Sequence, residues 1–191
     1  MVERENKANL RLDELARALA DQRYPPVDKW NPDFCGDIDM VIKRDGSWHY
    51  MGTPILRPEM VRLFASVLRR DDDGKTYLVT PVEKLGIQVE DAAFLAIELE
   101  HKNAGEQAEL YLSTQTGDVI RIDAEHPIWT EHDPDTGEDR PYVHVRGGLN
   151  ALIARPVWYR LVDLAQPEEI DGTRYLGVWS DGDFFPLGPA Q

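Results

Sequence analysis

A sharp corner, Gly52-Thr53-Pro54, constrains the first half of this chain more than any other short stretch. Before it, every second residue is a large apolar one, as in a half-buried strand: Ile38, Met40 and Ile42 alternate with Asp39, Val41 and Lys43. The strand leads into Asp45-Gly46, which favours a hairpin because glycine accepts a positive φ. Proline cannot continue a central strand and keeps the residue before it extended. Pro58 then suits the first turn of a helix, where its missing N–H costs nothing.

An amphipathic helix is predicted after this corner. Apolar side chains recur every three or four residues and share one face; they are Met60, Leu63, Phe64, Val67 and Leu68. Asp73-Gly74 marks the next turn, and residues 77–82 and 87–89 are typical of short strands. The order of hairpin, helix and hairpin predicts an α+β fold, in which a small antiparallel sheet packs on one main helix.

The same order of elements recurs in the second half, which predicts two tandem, structurally related repeats. Three pairs of turn signals match: Gly46 with Gly117, Pro54-Ile55 with Pro127-Ile128, and Asp73-Gly74 with Asp171-Gly172. Such signals are common in any chain, so chance matching is the alternative explanation.

The predicted helix of the second repeat is interrupted. Leu149, Leu152 and Ile153 have helical spacing, and residues 157–164 resume it after Pro156. Because proline has no N–H to donate to the carbonyl of Leu152, the helix either kinks there or splits in two. The charged, turn-rich residues 131–140 before it predict the tip of an inserted hairpin.

Three segments are expected from this pattern. Residues 1–34 form an N-terminal helix and an extended linker, residues 35–104 the first α+β repeat, and residues 105–191 the second. Within the first segment, residues 8–22 carry a stripe of leucines typical of a short helix that must dock on the rest of the chain. Trp30 is expected to anchor the linker against the first repeat.

The composition limits the classes of partner that the chain is expected to bind. A formal net charge of -14 argues against non-specific binding to DNA or to an anionic membrane, because both need a positive field; solubility is the simplest reason for the acidity. Cys35, the single cysteine, cannot form an internal disulfide and is expected to be a small buried side chain. No run is apolar enough to span a bilayer or act as a signal peptide, which predicts a cytoplasmic protein.

Arginines are the candidate binding residues. Arg57 and Arg146 each precede the predicted helix of their repeat, where the helix N-terminus favours anions and an arginine adds two donors for a phosphate or carboxylate. We expect Arg155 and Trp48 to join the same site. The alternative is that each arginine pairs with one of the many carboxylates.

Evidence for catalysis is weaker. Asp37 and Asp39 share one face of a predicted strand and are a possible divalent-cation site, although a solvated strand end is the favoured explanation because no third ligand stands at a set spacing. The five histidines show no regular ligand spacing. The glycine-rich loops of nucleotide-binding folds and the serine elbow of hydrolases are absent from the sequence.

Several segments together resemble a proteobacterial family of unknown function, DUF1285. They are Trp30-Asn31-Pro32, residues 35–40, residues 45–48, residues 52–55, Arg57, residues 63–65, residues 77–83, residues 141–146 and residues 179–182. The resemblance implies a duplicated α+β core whose C-terminal half is similar to pleckstrin-homology-like folds. It also implies a ligand site between the halves and a regulatory or signalling role, and it assigns no catalytic residue.

These observations predict a non-enzymatic ligand-binding or regulatory protein, with a role in signal transduction and an anionic small molecule bound between the two repeats. No cofactor and no catalytic residue are predicted. The alternatives are a metal-assisted hydrolase that uses Asp37 and Asp39 and a scaffold that binds a regulatory protein partner through an exposed sheet edge.

Overall fold

The computed structural model describes residues 25–134 and 137–190 and divides the chain into two compact units between Glu90 and Asp91. Unit 1 ends at Glu90 and unit 2 begins at Asp91. The helix predicted over residues 8–22 lies outside the described residues.

The described residues of unit 1 form a six-stranded sheet and one α-helix. Its elements are β1 (Phe34–Ile42), β2 (Trp48–Tyr50), β3 (Thr53–Pro54), α1 (Pro58–Ser66), β4 (Leu68–Arg70), β5 (Thr76–Val79) and β6 (Lys84–Val89). The strand order is β3-β2-β1-β6-β5-β4, with β1 and β6 parallel and the other neighbours antiparallel. The predicted hairpin at Asp45-Gly46 and the helix that starts at Pro58 are confirmed.

The core of unit 1 lies where α1 packs on the sheet. Trp48 and Phe64 are both 1% exposed, and their rings stack with centroids 6.4 Å apart. Met40, Ile42 and Leu78 are buried as well. The apolar pattern predicts a helix that continues to Leu68, but the helix ends at Ser66 and Leu68 begins β4. The alternation in β1 and the helical spacing in α1 therefore supply the same core.

The linker before β1 is fixed to the sheet by one arginine. Residues Val27–Lys29 form a single 3₁₀ turn. The guanidinium of Arg69 in β4 donates to the carbonyl oxygens of Val27 at 3.0 Å and Trp30 at 2.6 Å, and it forms an ion pair with Asp71. The linker is thus held through its backbone as well as through apolar packing.

The part of unit 2 that the structure describes forms two sheets and one α-helix. Its elements are β7 (Phe94–Lys102), β8 (Glu109–Thr114), β9 (Val119–Arg121), β10 (Ile128–His132), β11 (Asp139–Arg146), β12 (Leu149–Ile153), α2 (Arg155–Asp163), β13 (Gln166–Ile170), β14 (Thr173–Ser180) and β15 (Asp183–Pro189). The first sheet has the order β10-β11-β12-β7-β8-β9, and the second has the order β13-β14-β15. Strands β7 and β12 are parallel.

The two six-stranded sheets share one topology. Counted from its own first strand, each sheet has the order third, second, first, sixth, fifth, fourth, with the first and sixth strands parallel. The helices differ in place, because α1 joins the third and fourth strands whereas α2 follows the sixth. The turn signals matched in the sequence are not equivalent: Gly46 lies between the first and second strands, but Gly117 lies between the second and third.

The predicted second helix is corrected by the structure. Residues Leu149–Ile153 form strand β12, in which Leu149, Ala151 and Ile153 are buried and the residues between them are less so. Pro156 neither kinks nor splits a helix, because it lies in the first turn of α2, where a missing N–H costs nothing. The hairpin predicted around residues 131–140 is confirmed by the pairing of β10 with β11.

The boundary between the units also differs from the sequence-based one at residue 104. The sequence pattern predicts that strand β7 belongs to the first repeat, but β7 pairs with β8 on one side and with β12 on the other. Both partners belong to unit 2, so the division falls before β7.

Candidate functional site

Arg57 is the residue that caps α1. Its backbone is extended, and its carbonyl oxygen accepts hydrogen bonds from the N–H groups of Met60 at 3.1 Å and Val61 at 3.2 Å. Its side chain is exposed, and within the described part of the chain the guanidinium makes no hydrogen bond and no ion pair. An unpaired cation at the positive end of a helix can attract a small anion, although Glu59 in the first turn competes with it.

Trp48 lies beneath this helix. Its indole is buried and stacks on the ring of Phe64. Its Nε1–H is buried and has no hydrogen-bond partner among the residues that the structure describes. Trp48 therefore positions α1 and its Arg57 end, and its predicted contact with a ligand remains a prediction.

Arg146 ends β11 in unit 2. Its guanidinium donates to Asp118 Oδ1 at 2.8 Å and lies over the ring of Phe94, 4.9 Å from the centroid. The other oxygen of Asp118 accepts hydrogen bonds from the hydroxyls of Thr114 and Thr116 at 3.0 and 2.8 Å. Because β12 separates Arg146 from α2, it does not occupy the helix-capping place that the sequence suggested.

Arg155 resembles Arg57 in lying next to a helix-starting proline, although it is the first residue of α2 whereas Arg57 precedes α1. Each arginine stands directly before the proline of a first helical turn, Pro58 in α1 and Pro156 in α2. Arg155 donates to both carboxylate oxygens of Glu138, at 2.9 and 2.7 Å, and this ion pair raises the pKa of Arg155 above its ordinary value. The pairing of arginines with carboxylates thus holds for Arg146 and Arg155 but not for Arg57.

Asp37 and Asp39 both lie exposed on β1. Asp37 fills the space above Gly86, since an added Cβ at Gly86 would overlap with its Oδ1. No set of three or more His, Cys, Asp or Glu able to hold a metal occurs within residues 25–134 and 137–190. The predicted hydrolase site therefore gains no third ligand among these residues.

A buried polar cluster in unit 2 was missed by the sequence reasoning. The carboxylates of Asp91 and Asp133, with side chains 6% and 8% exposed, share the guanidinium of Arg140. The hydroxyl of Tyr142 donates to Asp91 Oδ1 at 2.7 Å; burial and this hydrogen bond raise the pKa of Tyr142 to about 12. The polar groups of this cluster are bonded to one another. This arrangement fixes Asp91 to the hairpin and is less suited to catalysis. The only signal in the sequence was the high charge of residues 131–140, and such a charge predicts side chains exposed to solvent.

Two histidines lie side by side in unit 2, although their spacing along the sequence does not predict a pair. The rings of His126 and His144 are nearly parallel, at 19°, with centroids 5.7 Å apart. The backbone N–H of His144 donates to the carbonyl oxygen of Pro127 at 3.1 Å, which brings the two histidines together. The pair is visible only once the strand pairing is known.

Comparisons with known proteins agree with this division. The model of the DUF1285 N-terminal domain, described as a domain of unknown function, matches residues 25–92, and that of the DUF1285 C-terminal domain matches residues 93–187. These bounds meet within two residues of the boundary between the units. No curated protein matches the chain.

Among the described residues, no helix is both long and apolar enough to span a bilayer.

Two solved structures are similar. A DUF1285 family protein from Silicibacter pomeroyi DSS-3 is 50% identical, with a TM-score of 0.86 over 94% of this chain and 95% of that one. A DUF1285 family protein from Shewanella baltica OS155 is 30% identical, with a TM-score of 0.52 over 65% of this chain and 90% of that one. Both are described only as DUF1285 family proteins.

Proposed function

Because the chain belongs to the DUF1285 family, whose description states no activity, we propose from its chemistry that it is a non-catalytic regulatory module that binds an anionic small molecule at Arg57. The ligand class is a phosphate ester or a carboxylate, since a guanidinium donates to two oxygens of either group.

The observation that carries this proposal is the unpaired guanidinium of Arg57. The chain has 35 acidic and 21 basic residues, so carboxylates outnumber the arginines and lysines that they can pair with. Arg146 and Arg155 have each taken such a partner, whereas Arg57 has none within the described residues. A ligand at Arg57 therefore displaces no existing ion pair, while one at Arg155 has to replace Glu138.

The backbone adds to the attraction. The N-terminus of α1 carries a partial positive charge from its aligned peptide dipoles, and Arg57 stands at that end. The buried stack of Trp48 on Phe64 fixes the helix on the sheet, so the capping residue has a defined place. A site built on a rigid element binds with a smaller loss of conformational entropy.

Thermal unfolding with a defined panel tests the proposal. Inorganic phosphate, a nucleoside monophosphate, a sugar phosphate and a dicarboxylate are each titrated into wild type, Arg57→Gln and Arg62→Gln. Arg62 is the matched control, because it is an exposed arginine on the same helix. At about 100 times its dissociation constant, a bound ligand stabilises the folded state by roughly 2.7 kcal/mol.

At least one anion is expected to raise the unfolding temperature of wild type and Arg62→Gln but not of Arg57→Gln. Native mass spectrometry of purified protein provides a second readout, in which a co-purified anion is lost in Arg57→Gln. No response in wild type, or an equal response in Arg57→Gln, contradicts the proposal.

The finer predictions belong to the same proposal. They are the participation of Arg146, Arg155 and Trp48, a role in signal transduction, a cytoplasmic location and a pleckstrin-homology-like C-terminal half. The last is supported by a strand-rich unit 2 with a single α-helix among its described residues.

A second candidate, a scaffold for a protein partner, is favoured by the edge of β1. Strand β2 pairs only with Met40–Ile42 of β1, so among the described residues the preceding part of β1 pairs with β6 alone. Phe34 in that part is 53% exposed. An extended peptide added to such an edge gains main-chain hydrogen bonds. A co-purifying protein that Phe34→Ser releases, together with no anion response, would favour this candidate.

A further inference from the structure

We propose that His126 and His144 form a two-imidazole site for a divalent transition-metal cation, independent of the Arg57 site. The hydrogen bonds of the two rings carry the argument. His126 Nδ1 lies 3.2 Å from the carbonyl oxygen of His144, and His144 Nδ1 lies 2.9 Å from the carbonyl oxygen of Glu125. A carbonyl oxygen only accepts, so both Nδ1 atoms carry the proton.

In a neutral imidazole with the proton on Nδ1, the lone pair of Nε2 is free to bind a metal. A metal-binding histidine usually donates its other N–H to a backbone carbonyl or a carboxylate, which fixes the tautomer and the ring. Both His126 and His144 have this arrangement. No described residue forms a hydrogen bond with either Nε2 atom.

The distance between the rings suits a shared ion. Metal–nitrogen bonds of about 2.0–2.1 Å place an ion about 3 Å from each ring centroid, so two imidazoles whose Nε2 atoms face one ion have centroids up to about 6 Å apart. The observed separation is 5.7 Å.

The backbone around the pair is held in place before any metal binds. Asp123 Oδ1 accepts the backbone N–H groups of Glu125 and His126, both at 2.9 Å. The N–H of His144 bonds to the carbonyl of Pro127 at 3.1 Å. Binding therefore requires little reordering of the main chain.

The chemistry selects the class of metal. Imidazole nitrogen suits Cu²⁺, Ni²⁺ and Zn²⁺ rather than Mg²⁺ or Ca²⁺, and Cu²⁺ forms the tightest complexes of this series. Since no third His, Cys, Asp or Glu completes the set among the described residues, water fills the remaining positions. The net charge of -14 attracts a cation over longer range.

The test is a Cu²⁺ titration of the tag-free full chain by calorimetry, with electron paramagnetic resonance to count the bound nitrogens. The variants are His126→Asn and His144→Asn, because the asparagine amide keeps an N–H near the place of Nδ1 and removes Nε2. His132→Asn is the matched control, as His132 is an exposed histidine of the same unit and pairs with Asp139.

One Cu²⁺ per chain with two bound imidazole nitrogens is expected, weakened about tenfold or more by either His126→Asn or His144→Asn and unchanged by His132→Asn. No saturable binding, a single nitrogen, or full binding in either variant overturns the proposal. A Zn²⁺ titration of wild type followed by imidazole ¹⁵N resonances needs no variant. The Nε2 signals of these two histidines are expected to move, and movement confined to other histidines overturns the proposal.

Discussion

Ser180 and Leu110 are joined by a buried hydrogen bond that links the two sheets of unit 2. The hydroxyl of Ser180, which is 0% exposed, accepts the N–H of Leu110 at 3.0 Å and donates to the carbonyl oxygen of Ile122 at 2.6 Å. Leu110 belongs to β8 and Ile122 follows β9, whereas Ser180 ends β14. One side chain therefore satisfies two backbone groups of the neighbouring sheet.

Replacing Ser180 by alanine is expected to lower the free energy of unfolding by roughly 2–4 kcal/mol, because an N–H and a carbonyl both lose their partner away from water. Denaturant unfolding followed by circular dichroism measures the change. Ser113→Ala is the control, since Ser113 is half-buried in β8 and its side chain makes no hydrogen bond among the described residues. Equal destabilisation by the two variants would show that the Ser180 hydroxyl contributes nothing specific.

Arg69 is expected to hold the linker of unit 1 in place. Its side chain is 13% exposed and bonds to the carbonyl oxygens of Val27 and Trp30. In Arg69→Met both carbonyls lose their charged donor, so the backbone amides of residues 27–31 should exchange with deuterium several-fold faster. Hydrogen exchange with mass spectrometry measures this directly.

The adjacent Arg70 provides the control for that experiment. It is exposed at the end of β4, and Arg70→Met is expected to leave exchange in residues 27–31 unchanged. Faster exchange in both variants, or in neither, would contradict a role for Arg69 in anchoring the linker.

Local patterns predicted part of the fold well. The alternation before Asp45-Gly46 and the apolar spacing after Pro58 extend far enough to distinguish a strand from a helix. The pattern fails at Leu149–Ile153, because a five-residue segment that is apolar except for Asn150 is too short to distinguish the two periods. Once Leu149–Ile153 is taken as helical, Pro156 predicts an interruption of that helix, whereas Pro58 predicts the start of one.

The candidate site was less predictable, because it depends on which strands are neighbours. Arg146 meets Asp118 only because β11 lies in the same sheet as β8 and β9, and nothing near either residue encodes that proximity. The assignment of β7 to the wrong unit has the same origin, since its parallel partner β12 lies far along the chain. Arg57 was found because its role depends on the adjacent residue Pro58.

Tyr142 makes a prediction about alkaline pH. Its pKa is raised to about 12 in the folded chain, mainly by burial, whereas a tyrosine in an unfolded chain has a pKa of about 10. Between these two values the folded state binds more protons than the unfolded state, so the free energy of unfolding falls as the pH rises. The stabilisation is fully present below about pH 10 and lost toward pH 12.

Unfolding free energies of wild type and Tyr142→Phe, measured between pH 8 and pH 12, check this dependence. The difference between the two proteins should be constant below about pH 9 and shrink above about pH 10. Tyr159→Phe is the control, because Tyr159 is 61% exposed. A difference that does not vary with pH would show that the Tyr142 hydroxyl is not protected from ionisation.

Gly177 in β14 is expected to tolerate no side chain. A Cβ added there would overlap with the ring of Phe184 and with the backbone oxygen of Phe185 in the paired strand. The ring can turn away but the backbone oxygen cannot, so Gly177→Ala should cost about 1–3 kcal/mol of unfolding free energy, as overpacking does. Gly188→Ala in β15 is the matched substitution, because nothing lies within 4 Å of its added Cβ, and it should change stability by less than about 0.5 kcal/mol. Denaturant unfolding of both variants separates the two effects, and equal costs would mean that loss of glycine from a strand, rather than the close approach of β15, sets the penalty.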